Sequence, residues 1–392
     1  MFRILSLLLA LTFVAHASVQ PGIDVLAGRG FDAVRGKRIG LITNQTGVNA
    51  AGTKTRLVLK KAPGVQLVAL FAPEHGIDGT VGASKYIPNR KDSATGLTVY
   101  SLYGPTRKPT PAMLAGLDAL VFDMQDIGIR SYTYISTMAQ AMEAAGEAGV
   151  EFIVLDRPNP LGGERIEGPG IDEKWRSFIG QLPTPYLHGM TAGELARMSN
   201  AKGWMGSRCK LTIVPMSGWT RDMTWSDTGL RWVQTSPNIP NISSVAGYAA
   251  TSIFGSLEGS GFDVGIGTGD PFLMAGVYRI DGGAFTDKVC QCGVSASSYS
   301  RDEFSGARLN ITAKSRVNLA AINVHLLAAA QAQRGNIFAK YRDADGIFWK
   351  AYGSTSIKSQ IERGTSPATI VAGWQSGVNS FRSARQPYLI YQ

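Results

Sequence analysis

VQLVALFAPEHGIDG, Val65 to Gly79, joins two kinds of sequence. Its first seven residues are apolar almost without interruption, the pattern of a strand buried on both faces. Pro73 ends that pattern, and Glu74 and His75 follow at once in a turn flanked by Gly76 and Gly79. A strand covered on both sides belongs to a parallel sheet sandwiched between helices. Such sheets bind ligands beyond the carboxyl ends of their strands. The stretch therefore poses fold and site together, because two titratable side chains stand where a core strand runs out.

Outward from it the same rhythm repeats. RIGLITN (Arg38–Asn44), LTVYSLY (Leu97–Tyr103), LDALVFDMQD (Leu117–Asp126) and EFIVLDRP (Glu151–Pro158) are short and rich in β-branched or aromatic residues, with little alternation. TYISTMAQAMEAAGEAG, between the last two, has the composition and period of a helix. KLTIVPM (Lys210–Met216) reads as one more strand. The fold class expected is α/β, a parallel sheet with helices on both faces.

Four strand ends carry polar groups: Asn44; Glu74 and His75; Asp123 to Asp126 with Arg130 close behind; and Asp156, Arg157 and Asn159. One such turn is ordinary capping or turn chemistry. Four on one edge mark a site. Farther on, Thr191 and Glu194 form a capping box that opens a helix, which leaves His188 as the freer residue.

Past the proline-rich connection WVQTSPNIPNI (Trp232–Ile242) the texture changes to glycine-rich loops. The helical RVNLAAINVHLLAAAQAQ and a closing strand QPYLIYQ follow, the pattern of a smaller α+β domain. Met1 to Ala17 has one basic residue, a short apolar run and an Ala-His-Ala ending, the form of a secretory signal peptide. Its apolar run is shorter than the roughly 20 residues of a membrane span. The domains expected are a signal peptide at 1–17, a first domain at 18–240 and a second at 241–392. An exported protein, periplasmic or secreted, with no integral membrane segment after cleavage is the corresponding expectation.

Composition narrows the function. The net charge of +10 is spread along the chain without Lys/Arg blocks, which argues against a nucleic-acid partner. Three cysteines, Cys209, Cys290 and Cys292, cannot make a complete disulfide framework, although one bridge from Cys209 is open. His75, His188 and His325 lack ligand spacing, so neither metal nor cofactor is expected. EGSGFDVGIGTGDPF (Glu258–Phe272) has spaced glycines but not the first strand-to-helix turn that a dinucleotide site needs. There is no GxSxG elbow and no HExxH. What remains are acids at strand ends and loops: Glu74, Asp123, Asp126, Asp156, Glu167 and Glu258. Paired carboxylates are the requirement of glycoside hydrolysis. A carboxyl in a dry pocket holds its proton to higher pH, as a proton donor must.

GLITNQTGV, APEHGIDG, GLTVYSLYG, LVFDMQDIGIRSYTYISTM, LDRPNPLGG, IEGPG, HGMTAGELA and SPNIP occur in this order, and together they resemble the exo-acting β-N-acetylmuramidases. The resemblance implies a Rossmann-like first domain, a smaller second domain and a cleft between them. It implies release of N-acetylmuramic acid from the non-reducing ends of peptidoglycan fragments, with muropeptides or amino-sugar oligosaccharides as partners. It makes Glu74 the catalytic acid and Glu167 the second carboxylate, ahead of Asp123, Asp126 and Glu258. Asn44, Asn159, His188 and Asn238 become hydrogen-bonders to the sugar, and Tyr132, Tyr134 and Trp232 stacking candidates. His75, Asp126 and Glu258 complete the binding set. Where the family commonly carries an Asn and an Arg in its glycine-rich loop, this chain has Gly261 and Ile266. Arg130 or Arg157 then supplies the charge for a muramyl carboxylate, or the preferred amino sugar differs. A glycan-binding protein without turnover is the alternative reading.

Overall fold

A computed structural model describes residues 18–257, 261–339 and 346–392; the expected signal peptide lies outside them. Seven strands form the first sheet: β1 (Arg38–Thr43), β2 (Gln66–Ala72), β3 (Arg90–Lys91), β4 (Thr98–Ser101), β5 (Ala119–Asp123), β6 (Glu151–Leu155) and β7 (Leu211–Val214). Their order is β3-β4-β2-β1-β5-β6-β7, parallel throughout except for the short β3. The chain winds outward from β1 to β2 and β4, then returns to β5 and winds the other way. The reversal falls between β1 and β5, as in a Rossmann sheet.

Both faces of this sheet are dry. On β5, Val121 packs with Leu41, Leu70, Ile153 and Leu155, while Leu120 and Phe122 face the opposite cluster with Phe71, Phe152, Met138 and Met142. That two-sided burial explains why the strands read as unalternating apolar runs. The helix Thr133–Ala148 covers one face and ends at Gly149 in the left-handed conformation. The helix Ala192–Lys202 opens with the expected Thr191/Glu194 capping box.

The second sheet holds β8 (Phe262–Asp263), β9 (Met274–Tyr278), β10 (Ser295–Arg301) and β11 (Phe304–Asn310), antiparallel in the order β10-β11-β9-β8. The helices Ile242–Gly255 and Leu319–Arg334 pack against each other, and the first also packs on β8 and β9. One apolar cluster runs from Phe71 and Phe122 through Val245 and Phe254 to Val277 and Leu309. A cleft bordered by both sheets is thus framed by a shared core.

The expected closing strand QPYLIYQ is not a strand. A single turn at Gln386–Tyr388 leads into an extended tail that docks on the first domain. The Tyr391 hydroxyl donates to Asp156 Oδ2 at 2.6 Å, the Ile390 N–H donates to Glu194 Oε1 at 2.9 Å, and the Gln392 carbonyl accepts from the Arg221 N–H at 2.9 Å. The Glu194 carboxylate and the Arg221 backbone N–H meet the tail's main-chain groups in place of a neighbouring strand.

Candidate functional site

Glu74 follows β2 and is 8% exposed. Its Oε1 accepts from the Ser84 N–H at 3.0 Å and its Oε2 from the Thr133 hydroxyl at 2.8 Å, at the start of the helix Thr133–Ala148. The Tyr103 hydroxyl faces the same carboxylate. Burial first, and then Glu74, push the Tyr103 phenol up. His75 sits at φ +68, a left-handed conformation unfavourable for a side-chain-bearing residue. Its Nδ1 lies 2.7 Å from the Val81 carbonyl. A carbonyl only accepts, so Nδ1 carries the proton.

These groups wall a cavity of about 510 Å³. Arg107 and Phe178 border it on the first domain, and Ser236 and Asn238 on the connection between domains. Tyr248, Ser252 and Ile266 close it from the second domain. The strap around Thr235 is fixed by three side chains. Gln45 Nε2 donates to the Gln234 and Thr235 carbonyls at 2.8 and 3.0 Å, Tyr132 OH donates to Thr235 Oγ1 at 2.9 Å, and Tyr134 OH donates to the Thr235 carbonyl. Gln45 reaches the strap across Gly79, where a Cβ would come within 2.0 Å of the Gln45 side chain. The second glycine of the opening turn is therefore required by close approach.

Of the residues singled out in the sequence, Glu74, His75, Tyr132 and Asn238 meet at this cavity. The others go elsewhere. Glu167 pairs with Arg165, and its Oε2 accepts from the Leu319 and Ala320 N–H groups at 2.7 and 3.3 Å. It thereby caps the helix Leu319–Arg334 and lines a different groove. Arg130 donates to the carbonyls of Pro169, Thr184, Ala351 and Tyr352 at 2.7–3.1 Å, so no free edge is left for a ligand carboxylate. Arg157 is paired with Asp123 rather than with Asp156, at 2.5 Å. Asp156 instead holds the helix start at Gly193 and the chain's tail.

Asn159 bonds the Met190 carbonyl and the Leu161 N–H, each at 3.0 Å. Asn44 Oδ1 closes a turn onto the Thr46 N–H at 2.9 Å. Tyr134 is 1% exposed, its hydroxyl spent on the strap. His188, the residue expected to be freer, is 1% exposed and accepts the Met190 N–H at 3.2 Å. Burial, with Arg385 and Arg130 nearby, pushes its imidazole down to about 3, so it is neutral. Trp232 lines a second cavity, with Arg157, on the far side of the strap. Glu258 lies outside the described residues.

Tyr103 and Arg107 were not among the residues singled out. They follow β4, and the strand-end rule that leads to Glu74 leads equally to them in LTVYSLYGPTR.

Residues 39–243 match the family described as exo-β-N-acetylmuramidase NamZ, N-terminal, and residues 247–391 match its C-terminal counterpart. The chain belongs to the exo-β-N-acetylmuramidase family. It is 38% identical to the peptidoglycan β-N-acetylmuramidase NamZ of Bacillus subtilis strain 168, over 95% of this chain and 91% of that protein. Two DUF1343 family proteins of Bacteroides fragilis NCTC 9343 share its fold. One is 37% identical with a TM-score of 0.86 and the other 28% identical with a TM-score of 0.75; each match covers 96% of this chain and 99% of the other.

The exo-β-N-acetylmuramidase family is one of glycoside hydrolases, and this member is an enzyme of that class. Of its two departures in the glycine-rich loop, Ile266 lines the Glu74 cavity. Gly261 stands at φ +83, a conformation glycine adopts without strain, and a Cβ there would come within 2.7 Å of the Arg334 guanidinium, the movable end of a flexible side chain. All three cysteines are free. Among the described residues no helix is long and apolar enough to cross a membrane.

Asp126 lies behind the cavity wall, with Oδ2 accepting the Gly128 N–H at 2.7 Å and Oδ1 buried without a partner. Burial pushes its carboxyl from 3.8 up to about 7. The folded chain thus holds this proton more tightly than the unfolded chain does. The resulting stabilisation is complete below about pH 4 and is lost as pH rises through about 7, at most about 1.4 kcal/mol per pH unit. Asp126→Asn should flatten this decline. Urea midpoints of wild type and variant between pH 4 and 8 would show it, and parallel curves would rule it out.

Proposed function

We propose that the protein is an exo-acting β-N-acetylmuramidase that releases N-acetylmuramic acid from the non-reducing ends of peptidoglycan fragments, with Glu74 protonating the departing oxygen. The observation that carries this reading is the placement of the Glu74 carboxyl inside a cavity of about 510 Å³, walled by both halves of the molecule. That volume is within the usual range of ligand pockets, about 300–1,000 Å³. A pocket of that size suits a single terminal sugar, which supports the exo-acting part of the reading.

Tyr132, Tyr248 and Phe272 supply apolar ring faces to the cavity, and Ser131, Ser236, Ser252 and Asn238 supply hydrogen-bonding groups for hydroxyls and an acetamido group. The homologue's name supports the muramyl substrate. Export to the cell envelope belongs to the same reading, because the polymer lies there and Met1 to Ala17 has the form of a secretory signal peptide. Digestion of glycan strands with muramyl non-reducing ends tests it. The expected product is free N-acetylmuramic acid, about one per chain end before any shorter oligosaccharide accumulates. A ladder of internal fragments, or release of N-acetylglucosamine alone, would refute it.

A further inference from the structure

Most buried or half-buried arginines among the described residues are taken up by ion pairs and backbone carbonyls. Arg130 and Arg385 hold carbonyls; Arg56, Arg157, Arg165 and Arg221 hold carboxylates. Arg107 differs from all of them. Its guanidinium carbon lies 4.5 Å from the centre of the Phe178 ring and 5.4 Å from the centre of the Tyr103 ring. Among the described residues it makes no ion pair and no hydrogen bond, and it is the only lysine or arginine that lines the Glu74 cavity. Ile266, across the cavity, offers no charge.

A stacked guanidinium uses its flat faces on the aromatics and keeps its five N–H donors around its edge. That edge matches two carboxylate oxygens in a bidentate fork. Tyr103 relates this cation to the acid: Glu74 faces the hydroxyl of the ring and Arg107 its face. The cavity thus holds a proton donor and a free fork, both beside Tyr103. A substrate fitted to both has a scissile bond beside Glu74 and an anionic substituent beside Arg107 on the same sugar. Muramic acid carries a lactyl carboxylate on the ring whose glycosidic bond is cut, and glucosamine has only a hydroxyl there.

Resting on the proposed muramidase reading, we infer that Arg107 binds the lactyl carboxylate and sets the preference for muramyl over glucosaminyl ends. It does the work the sequence suggested for Arg130 or Arg157, both of which are committed elsewhere.

The test uses nitrophenyl β-N-acetylmuramide beside its lactyl amide, which has the same shape without the charge, for wild type, R107M and R107K. The methionine keeps the apolar stem over Phe178. Losing a charged hydrogen-bonded pair predicts a fall of about 10- to 100-fold in kcat/KM on the acid. The amide should change little, so the acid-to-amide preference collapses, and R107K should recover part of it. Equal losses on both substrates, or an unchanged preference, would overturn the inference. Calorimetry with free N-acetylmuramic acid gives a readout that needs no turnover: affinity should fall in R107M, and unchanged affinity also overturns the inference. Failure of wild type to hydrolyse any muramide would instead count against the proposed function, with the binding measurement still deciding the role of Arg107.

Discussion

Glu74→Gln should lower kcat/KM on a nitrophenyl muramide by about 10² to 10⁴, the usual contribution of a positioned general acid. The fold should survive the change. The carbonyl of the introduced amide still accepts the Ser84 N–H, and the Thr133 hydroxyl, which bonds Glu74 at 2.8 Å, reverses to accept from the new NH₂ group. Thermal unfolding of the variant should therefore overlay that of wild type. Turnover lost together with the melting transition would make Glu74 a structural residue and leave the reaction without its acid. A variant as active as wild type would remove Glu74 from the chemistry altogether.

The second large effect falls on stability. Arg157 and Asp123 are nearly sealed from solvent, with side chains 4% and 0% exposed. Two contacts join them, Nε to Oδ1 at 2.5 Å and Nη2 to Oδ2 at 3.0 Å, and Nη2 also donates to the Val48 carbonyl at 2.6 Å. The pair ties the end of β5 to the turn after β6 and to the loop after β1. Breaking a buried pair from one side leaves an uncompensated charge, which costs about 3–5 kcal/mol. Arg157→Met should lose that much in denaturant unfolding. Replacing Asp123 with Asn in the same chain should recover much of the loss, because it removes the stranded charge. Equal destabilisation of single and double variants would show that Arg157 matters for packing alone.

Much of the first domain was legible because burial on both faces writes itself as uninterrupted apolar runs, and the structure places a strand in each such run. β3 was not legible, since Arg90 and Lys91 are two exposed residues with no apolar signature. The tail misled for the opposite reason. YLIY has a strand's composition, but its hydrogen bonds go to Glu194 and Asp156, far away in sequence.

At the site, the rule that strand ends carry function located Glu74, His75 and the edge itself. It could not separate ligand-facing from load-carrying residues. Arg130 meets its carbonyls 39 to 222 positions away, and Arg157 meets Asp123 34 positions away. No local pattern distinguishes such a residue from a substrate clamp. Arg107 is the converse. Its aromatic seat includes Phe178, contributed by a distant loop, so its freedom from ion pairing is visible only once the chain is folded.

The most direct test of the account varies the leaving group in Glu74→Gln. A nitrophenolate departs with help from a proton donor, whereas a dinitrophenolate departs without it, so a variant lacking only the acid is selectively disabled on the poorer leaving group. With β-muramides of both phenols, the account predicts a large deficit of the variant relative to wild type on nitrophenyl and a far smaller one on dinitrophenyl. Equal deficits on the two substrates would contradict the assignment of Glu74 as the group that protonates the departing oxygen.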